Sequence, residues 1–273
     1  MSSLTESSLT EVGYAKLNLA LHVRGRRTDG YHDIETIFAF CEDGDQLSGE
    51  DAKGLSLEVS GPFAADIPAN DANLVIEAAR VVRLATEVST GAGLRLVKNL
   101  PVASGIGGGS TDAAALLRLL TTLWEIPASQ AGELAPLLGA DVPACLLSRS
   151  CRGEGAGDRV KPIDLGLSGT PVLLINPGLP LSTRQVFEQW DGVDRGPLED
   201  WRVGRNDLQG PATALVPAIA DMLAWLEARQ GAEFVRMSGS GATCFALFGD
   251  EAARDQAASQ VPRPWWHLAT RLR

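Results

Sequence analysis

A glycine-dense loop that runs directly into an amphipathic helix is the feature that most constrains this 273-residue chain. The segment from Pro101 to Leu120 reads PVASGIGGGSTDAAALLRLL. Because glycine has no Cβ, the backbone can adopt positive φ angles there and point several amide N–H groups at one ligand. Apolar residues then recur at helical spacing, and Ser110 or Thr111 is suited to cap the helix. The segment predicts an anion site at a helix N-terminus.

This loop matches none of the common phosphate-binding patterns. A Walker A loop ends in Gly-Lys-Ser/Thr, and no lysine follows these glycines. A dinucleotide fingerprint beginning at Gly105 needs a glycine where Ser110 stands, and an acidic residue about 20 positions later. A protein-kinase glycine loop joins two strands, whereas this one opens a helix. A flexible surface loop is the remaining alternative, but Pro101 and a strong helix start confine these glycines. We expect a phosphate cradle of another type.

Composition limits the classes of partner. With 34 acidic and 24 basic residues the net charge is −10, which disfavours binding to nucleic acid or to an anionic membrane. No apolar run approaches the roughly 18 residues of a membrane-spanning helix. The four cysteines form no CxxC pair, which predicts reduced thiols. We expect a cytoplasmic protein with no obligate protein partner and a disordered tail over residues 1–11.

Strand and helix patterns mix along the chain, which predicts an α+β protein with two lobes. The boundary falls between Cys151 and Pro171, and we divide the chain into an N-terminal lobe, 12–155, and a C-terminal lobe, 156–273. Strand patterns cover 12–23, 34–38, 55–59, 94–97, 159–163 and 172–176, and 234–248 reads as strand, turn, strand. Besides the helix after the glycine loop, helical patterns cover 73–87, 129–138, 183–190, 212–229 and 252–260.

The first strand has an unusual polar face. Tyr14, Lys16, Asn18 and His22 alternate with apolar residues and share one side of the strand, where residues two positions apart lie about 7 Å from each other. A solvated face is the ordinary interpretation, and a strand that lines a site is the other. If the loop holds a nucleoside triphosphate, Lys16 offers a fixed positive charge and Asp141 a base toward a hydroxyl. The alternative for Asp141 is a turn or cap residue.

Five segments together resemble one superfamily of small-molecule kinases. They are YAKLNLAL, the DGYHDIET hairpin, GIGGGSTDAA, GADVPA and MSGSGAT. This set is similar to the galactokinase, homoserine kinase, mevalonate kinase and phosphomevalonate kinase (GHMP) superfamily, and within it to the 4-diphosphocytidyl-2-C-methyl-D-erythritol kinases. The resemblance implies an N-terminal, ribosomal-S5-domain-2-like lobe that binds ATP. It also implies a ferredoxin-like C-terminal lobe, with the active site between the two.

The resemblance implies roles for individual residues. Lys16 and Asp141 match the family's catalytic pair, with Asp141 accepting the proton of the substrate's 2-hydroxyl and Asn18 positioning that hydroxyl. Mg²⁺ is implied as the companion of ATP, held mainly by phosphates and water, and Ser110 or Thr111 could contact it. The ATP-binding segment is matched by Pro101, Val102, Ala103, Ser104, Gly105, Ile106, Gly107, Gly108, Gly109, Ser110 and Thr111.

A cytidine pocket is implied by two further segments. Tyr31 and His32 match a recognition turn in which an aromatic face stacks on the pyrimidine and the imidazole reads its polar edge. Thr183 and Phe187 resemble the second wall, with Phe187 as the opposite stacking face. Ordinary packing is the alternative for both aromatic residues. The partner implied is therefore a small molecule with a cytidine diphosphate moiety.

The implied activity is ATP-dependent phosphorylation of the 2-hydroxyl of 4-diphosphocytidyl-2-C-methyl-D-erythritol, giving the 2-phosphate and ADP. A kinase of the homoserine or mevalonate class is one alternative, but its substrate has no cytosine to stack. A nucleotide-binding regulator without turnover is the other, and intact Lys16 and Asp141 count against it. Asp112 is a rival base near the loop, although the helix dipole explains a carboxylate in a first turn.

Overall fold

Two β-sheets covered by helices make up the part of the chain that the computed structural model describes, residues 8–67 and 73–273. The first sheet contains β1 (Leu9–Arg26), β2 (His32–Ala52), β3 (Leu55–Ser60), β4 (Gly91–Val97), β5 (Cys151–Gly155) and β6 (Arg159–Pro162). The second contains β7 (Pro171–Asn176), β8 (Ala232–Met237), β9 (Cys244–Phe248) and β10 (Trp266–Arg271). The helices are α1 (Leu74–Thr86), α2 (Gly108–Leu123), α3 (Ala128–Leu138), α4 (Val142–Leu147), α5 (Thr183–Glu188), α6 (Gln209–Leu215), α7 (Ala218–Glu227) and α8 (Glu251–Ser259).

The long strand β2 organises the first sheet. One edge of β2 pairs with β1 along nearly the whole length of the strand. The other edge of β2 pairs with β5 in its first half and with β4 in its second half. β3 then adds in parallel to β4, and β6 adds antiparallel to β5. A strand of 21 residues can serve three partners in this way because each partner occupies a different stretch of its edges.

The second sheet has the order β10-β7-β9-β8, with every neighbouring pair antiparallel. Three helices, α5 to α7, lie between β7 and β8 along the chain, and α8 lies between β9 and β10. This β-α-β-β-α-β arrangement is the ferredoxin-like pattern. The prediction of an α+β protein with two lobes, the second ferredoxin-like, is confirmed.

The helix that follows the glycine loop, α2, is the centre of the first lobe. It packs on β1 and β2 and is flanked by α1, α3 and α4. Three consecutive alanines, 113 to 115, are buried and let the helix approach the sheet closely, while Leu116, Leu117 and Leu120 are fully buried in the same core. The loop is therefore attached to a rigid helix.

The two lobes share a core and backbone hydrogen bonds. Leu17 of β1, Val172 of β7 and Phe245 of β9 belong to one buried cluster. The amide of Leu21 donates to Arg205 O at 2.8 Å, and the amide of the last residue, Arg273, donates to Phe40 O at 2.9 Å. Strands of each lobe thus contact the chain of the other, which fixes the cleft between them.

Three expectations about boundaries are corrected. Of the predicted tail, residues 1–7 lie outside the described residues, but 9–11 already form β1 and pair with 47–49 of β2. The first sheet continues through β6, beyond the predicted lobe boundary after residue 155, because β6 pairs with β5. The predicted helix over 212–229 is two helices, α6 and α7, because Pro217 interrupts the helical hydrogen bonds.

Replacing Leu116 by alanine tests the role of α2 in the core. Because Leu116 is fully buried, the Leu116→Ala variant should lose about 2–5 kcal/mol of unfolding free energy. The same change at Leu137, which is exposed on α3, should stay within about 0.5 kcal/mol of the parent. Urea unfolding of both variants makes the measurement, and equal losses would contradict this packing.

Candidate active site

The glycine loop, residues 101–111, bends where its glycines take positive φ. Gly105 and Gly107 have φ of 78° and 79°, and α2 begins at Gly108 with Gly107 in the N-cap position. Ser110 and Thr111 therefore lie inside the first turn and do not cap it, which corrects the sequence prediction. The first N–H groups of a helix have no intrahelical partners, so this turn presents a row of free donors and the positive end of the helix dipole.

A second glycine-rich segment, the SGSGAT loop (residues 238–243), packs against the glycine loop. Ser238 Oγ donates to Gly105 O at 2.9 Å, and the amide of Thr243 donates to Ser104 O at 3.0 Å. A Cβ on Gly105 would lie 2.4 Å from Ser238 O, so only glycine permits this approach. The SGSGAT loop is more than a hairpin turn, because it holds the carbonyl side of the glycine loop from the other lobe.

Lys16 lies beneath the glycine loop. Its amide donates to Ile106 O at 3.0 Å, which ties β1 to the loop backbone. A Cβ on Gly107 would lie 3.2 Å from Lys16 Cε and 3.3 Å from Lys16 Cβ. Glycine at 107 thus provides both the positive φ and the space that the lysine side chain occupies.

The Lys16 ammonium is buried and paired with two side chains. Its Nζ donates to Asp141 Oδ2 at 2.7 Å and to Asn18 Oδ1 at 3.0 Å, and it lies 4.7 Å from the centroid of the Phe38 ring. Lys16 and Asn18 are only 3% and 2% exposed, so the solvated-face interpretation of this strand is wrong. The structure brings together all three residues that the sequence singled out for proton transfer and hydroxyl positioning.

Asp141 occupies the N-cap position of α4 without capping it. Its carbonyl oxygen accepts from the amide of Cys145 at 3.0 Å, but its side chain makes no cap hydrogen bond and turns to Lys16. The residue before the proline is Val142, the first residue of α4. The Asp141 side chain is 32% exposed, and a Cβ on Gly157 would lie 3.4 Å from its Oδ1. The carboxylate is therefore held by the lysine and still open to the cleft.

A hydrogen-bond chain fixes the amide of Asn18. Its Nδ2 donates to Thr36 Oγ1 at 2.8 Å, and Thr36 Oγ1 donates to Ala20 O at 2.6 Å. The backbone amide of Asn18 donates to Ser238 Oγ at 3.1 Å. With Nδ2 committed to Thr36, Oδ1 is the atom that faces Lys16. Sequence reasoning missed Thr36, whose only signal is a hydroxyl within an otherwise apolar stretch of β2.

The predicted cytidine pocket is assembled in part. The rings of His32 and Phe187 have centroids 4.7 Å apart, and Trp190 meets His32 edge-on at 5.7 Å. Tyr31 is 59% exposed at the tip of the hairpin, and no ring contact is recorded for it in the described part of the chain. Thr183 contacts the SGSGAT loop instead, with its Oγ1 2.8 Å from Ser240 Oγ. Sequence reasoning missed Trp190, which only its spacing from Phe187 could have suggested.

Burial and the nearby charge of Arg26 lower the pKa of His32 below its ordinary value. The imidazole is therefore neutral at pH 7, and one of its nitrogens is an acceptor. Nε2 is buried and has no hydrogen-bond partner among the described residues.

Asp112, the alternative base, is paired with Lys98. Its Oδ2 accepts from Lys98 Nζ at 2.7 Å, and Lys98 also pairs with Asp45. Burial raises the pKa of Asp112 to about 7, against the opposing effect of the Lys98 charge. Lys98 and Asp45 were not singled out from the sequence, because Lys98 looks like an ordinary polar residue after a strand and Asp45 lies within the polar stretch 42–46.

Few protein groups could hold a metal ion. Residues 8–67 and 73–273 contain no group of three or more His, Cys, Asp or Glu side chains arranged around a common point. Thr111 is buried and its hydroxyl donates to Gly108 O at 3.0 Å, so it does not face the cleft. Ser110, half-buried in the first turn of α2, is the better placed of the two hydroxyls that the sequence suggested.

Comparison with known proteins identifies close relatives. Family models for the N-terminal and C-terminal domains of GHMP kinases match residues 73–149 and 194–265. The 4-diphosphocytidyl-2-C-methyl-D-erythritol kinase of Rhizorhabdus wittichii is 53% identical over 97% of this chain and 94% of its own. That of Novosphingobium aromaticivorans is 47% identical over 97% and 93%. A crystal structure of 4-(cytidine 5'-diphospho)-2C-methyl-D-erythritol kinase superimposes with a TM-score of 0.82 at 33% identity, covering 97% of this chain and 99% of that one.

No helix among the described residues combines the length and the hydropathy that a membrane crossing needs.

The Gly105→Ala variant tests the contact between the two glycine-rich loops. The new Cβ would overlap the backbone of the SGSGAT loop, so the unfolding free energy should fall by about 1–3 kcal/mol or more. Gly132→Ala is the matched control, because this glycine is exposed within α3 with open space around it and should gain about 0.5–1 kcal/mol. Chemical denaturation measures both, and an unchanged Gly105→Ala variant would contradict the contact.

Proposed function

The chain belongs to the 4-diphosphocytidyl-2-C-methyl-D-erythritol kinase family of GHMP kinases, and we propose that it phosphorylates the 2-hydroxyl of this cytidylyl substrate with ATP. The products are the 2-phosphate and ADP, and the reaction belongs to isoprenoid precursor synthesis by the non-mevalonate route. The observation that carries the residue assignment is the buried ion pair between Lys16 and Asp141, directly beneath a glycine loop that opens a helix.

ATP is the phosphoryl donor, and the glycine loop is its phosphate site in this proposal. The free N–H groups at the start of α2 and the helix dipole favour an anion at this position. The carbonyl groups of Ser104, Gly105 and Ile106 accept hydrogen bonds from other segments, so the loop stays fixed when the ligand arrives. Because the chain has a net charge of −10, a local backbone site of this kind suits a polyanion better than a broad surface patch.

Asp141 is the proposed base. Its open carboxylate accepts the proton of the substrate hydroxyl as the oxygen–phosphorus bond to the terminal phosphate forms and the bond to ADP breaks. The Lys16 ammonium lies beside the carboxylate and stabilises negative charge on the attacking oxygen. Asn18 lies on the same face of β1, and its fixed amide orients the hydroxyl between the two charges. Positioning and charge neutralisation are what phosphoryl transfer requires of a protein.

In this proposal Mg²⁺ would bind to the phosphates of ATP. Bound there, it neutralises the charge of the phosphate oxygens. Of the two hydroxyls that the sequence suggested, Ser110 is the more accessible, since Thr111 is buried and bonded to Gly108 O. Most of the coordination is therefore assigned to phosphate and water.

The cytidine diphosphate part of the substrate is assigned to the cluster around His32 and Phe187. The His32 and Phe187 ring centroids are too close together for a base to stack between the two rings. The pyrimidine would therefore stack on the outward-facing side of this ring pair, and Tyr31 would cover it. Exposure of Tyr31 at the hairpin tip leaves its ring free to do so. Homoserine and mevalonate offer no base for this cluster, which favours the cytidylyl substrate. The partners are two small molecules, and we assign the reaction to the cytoplasm.

Asp141→Asn tests the assignment of the base. The amide keeps the shape of the carboxylate but cannot accept the proton, so kcat should fall by about 10²- to 10⁴-fold while affinity for an ATP analogue stays near that of the parent. A coupled ADP-release assay with ATP, Mg²⁺ and the cytidylyl substrate measures turnover, with homoserine and mevalonate as alternative acceptors.

The control for this variant is Asp164→Asn, in a surface turn remote from the cleft, which should keep parental activity. High residual turnover of the Asp141→Asn variant would contradict the assignment of Asp141 as the base. Turnover of homoserine or mevalonate in place of the cytidylyl substrate would overturn the proposed acceptor.

Phe187→Ala tests the cytidine pocket. Loss of a stacking face is worth about 1–3 kcal/mol, so KM for the cytidylyl substrate should rise by roughly 5- to 150-fold while KM for ATP is unchanged. Arg184→Ala, an exposed neighbour on α5, is the control and should leave both values unchanged. Steady-state kinetics with each substrate varied, and competition by cytidine diphosphate, make the measurement. Equal effects on both KM values would argue for a packing role alone.

A further inference from the structure

A buried ion cluster lies at the base of the glycine loop. Lys98 Nζ donates to Asp45 Oδ2 at 2.5 Å and to Asp112 Oδ2 at 2.7 Å. All three residues are almost inaccessible, with exposures of 2%, 0% and 4%. The two carboxylates raise the pKa of Lys98 although burial opposes this, so the ammonium is charged at neutral pH. Two acidic side chains therefore share one buried cation.

The cluster connects the two ends of the loop. Lys98 follows β4 directly and precedes the loop by three residues, whereas Asp112 is the fifth residue of α2 and follows the loop directly, past the first helical turn where the sequence placed it. Asp45 anchors both to β2, and its Oδ1 also accepts from the amides of Asn99 at 2.6 Å and Leu100 at 2.9 Å. The chain entering the loop and the helix leaving it are thus held to one strand by the side chains of Lys98, Asp45 and Asp112.

Two neighbouring glycines leave space for the side chains of this cluster. A Cβ on Gly108 would lie 3.2 Å from Lys98 Nζ, so the ammonium sits directly against the start of α2. A Cβ on Gly13 of β1 would lie 3.1 Å from Asp112 Oδ1, an oxygen that has no hydrogen-bond partner among the described residues. Both glycines leave room for a charged group where a larger residue would displace it.

Stability alone is a poor explanation for such a cluster. Removing charges from water costs several kcal/mol per ion, and well-packed apolar residues of similar volume often stabilise a protein as much or more. A buried ionic group does fix one geometry, because each partner is satisfied in a single arrangement. The segment whose geometry this cluster fixes is the glycine loop.

We propose that Lys98 and Asp112 are positioning residues for the donor phosphates. By joining the entry of the glycine loop to its exit, they set the direction in which the N–H groups at the start of α2 point. This inference rests on the proposed function only in naming ATP as the ligand of the loop. The acceptor side of the cleft, with Lys16, Asn18 and His32, makes no contact with the cluster in the described interactions.

Asp112→Ala is the variant that separates the loop exit from Lys98. Because the N–H groups would lose their fixed direction, KM for ATP should rise about 10-fold, which corresponds to about 1.4 kcal/mol. The kcat should change less than 3-fold, and KM for the cytidylyl substrate should stay constant. Asp112→Asn keeps an oxygen that can accept from Lys98, and it should restore KM for ATP to within about 2-fold of the parent.

Glu11→Gln is the matched control. Glu11 of β1 pairs with Arg118 of the same helix at 2.8 Å, farther along α2 and away from the loop. This variant also loses an ion pair between α2 and the sheet, but KM for ATP should not change. If Asp112→Ala does not fold, Asp112→Ser provides the same comparison, since a serine hydroxyl is too short to reach Lys98.

Calorimetric binding of a non-hydrolysable ATP analogue separates this inference from the proposed function, because it needs no turnover. Weaker binding by Asp112→Ala, restored in Asp112→Asn, supports the positioning role. Two results would overturn it: unchanged analogue affinity in Asp112→Ala, or an Asp112→Asn variant as weak as Asp112→Ala. Failure of the parent to phosphorylate the cytidylyl substrate would refute the proposed function and leave the binding comparison intact.

Discussion

Burial of the Lys16 ammonium is the constraint on which the rest of the site depends. A cation that is almost removed from water must be paired and hydrogen-bonded, and Asp141 and Asn18 meet this requirement. The pairing draws the start of α4 onto β1 from 125 positions away in the chain. Glycine at 107 suits this pairing, because its φ is positive and a Cβ there would lie only 3.2 Å from Lys16 Cε. One buried charge therefore relates strand, loop and helix in a single geometry.

The loop that covers this charge is held by both lobes. β1 binds it at Ile106, and the SGSGAT loop binds it at Ser104 and Gly105. Ser238 also contacts the amide of Asn18, so one hydroxyl of the second lobe touches both the loop and the polar strand. The relative position of the lobes is thus part of the site geometry, and a change in one lobe is transmitted to the loop through direct hydrogen bonds.

The electrostatics of the site are local. The chain is acidic overall, yet its two buried lysines lie directly at the loop, Lys16 beneath it and Lys98 at its base. Buried charges are screened less by salt and water than surface charges, so each lysine is held firmly by the acidic side chains around it. These ion pairs leave no net positive charge at the loop. The attraction for an anion is therefore assigned to the free N–H groups and the dipole at the start of α2.

The sequence by itself determined most of the secondary-structure elements, the two lobes and the residues of the central pair, but its patterns did not reveal β5, β10 or α4. Periodic hydrophobic patterns and glycine positions record local backbone preferences, and five motifs together recorded the family. Only the tertiary structure decided that Gly107 rather than Ser110 or Thr111 is the N-cap of α2, that Lys16 and Asn18 on the polar face of β1 are buried, and that Asp112 pairs with Lys98. Asp45, Lys98 and Thr36 carry no periodic signal, because their partners are distant in sequence and each residue is ordinary in its own segment. Contacts of that kind arise from packing, and the chain has to fold before they exist.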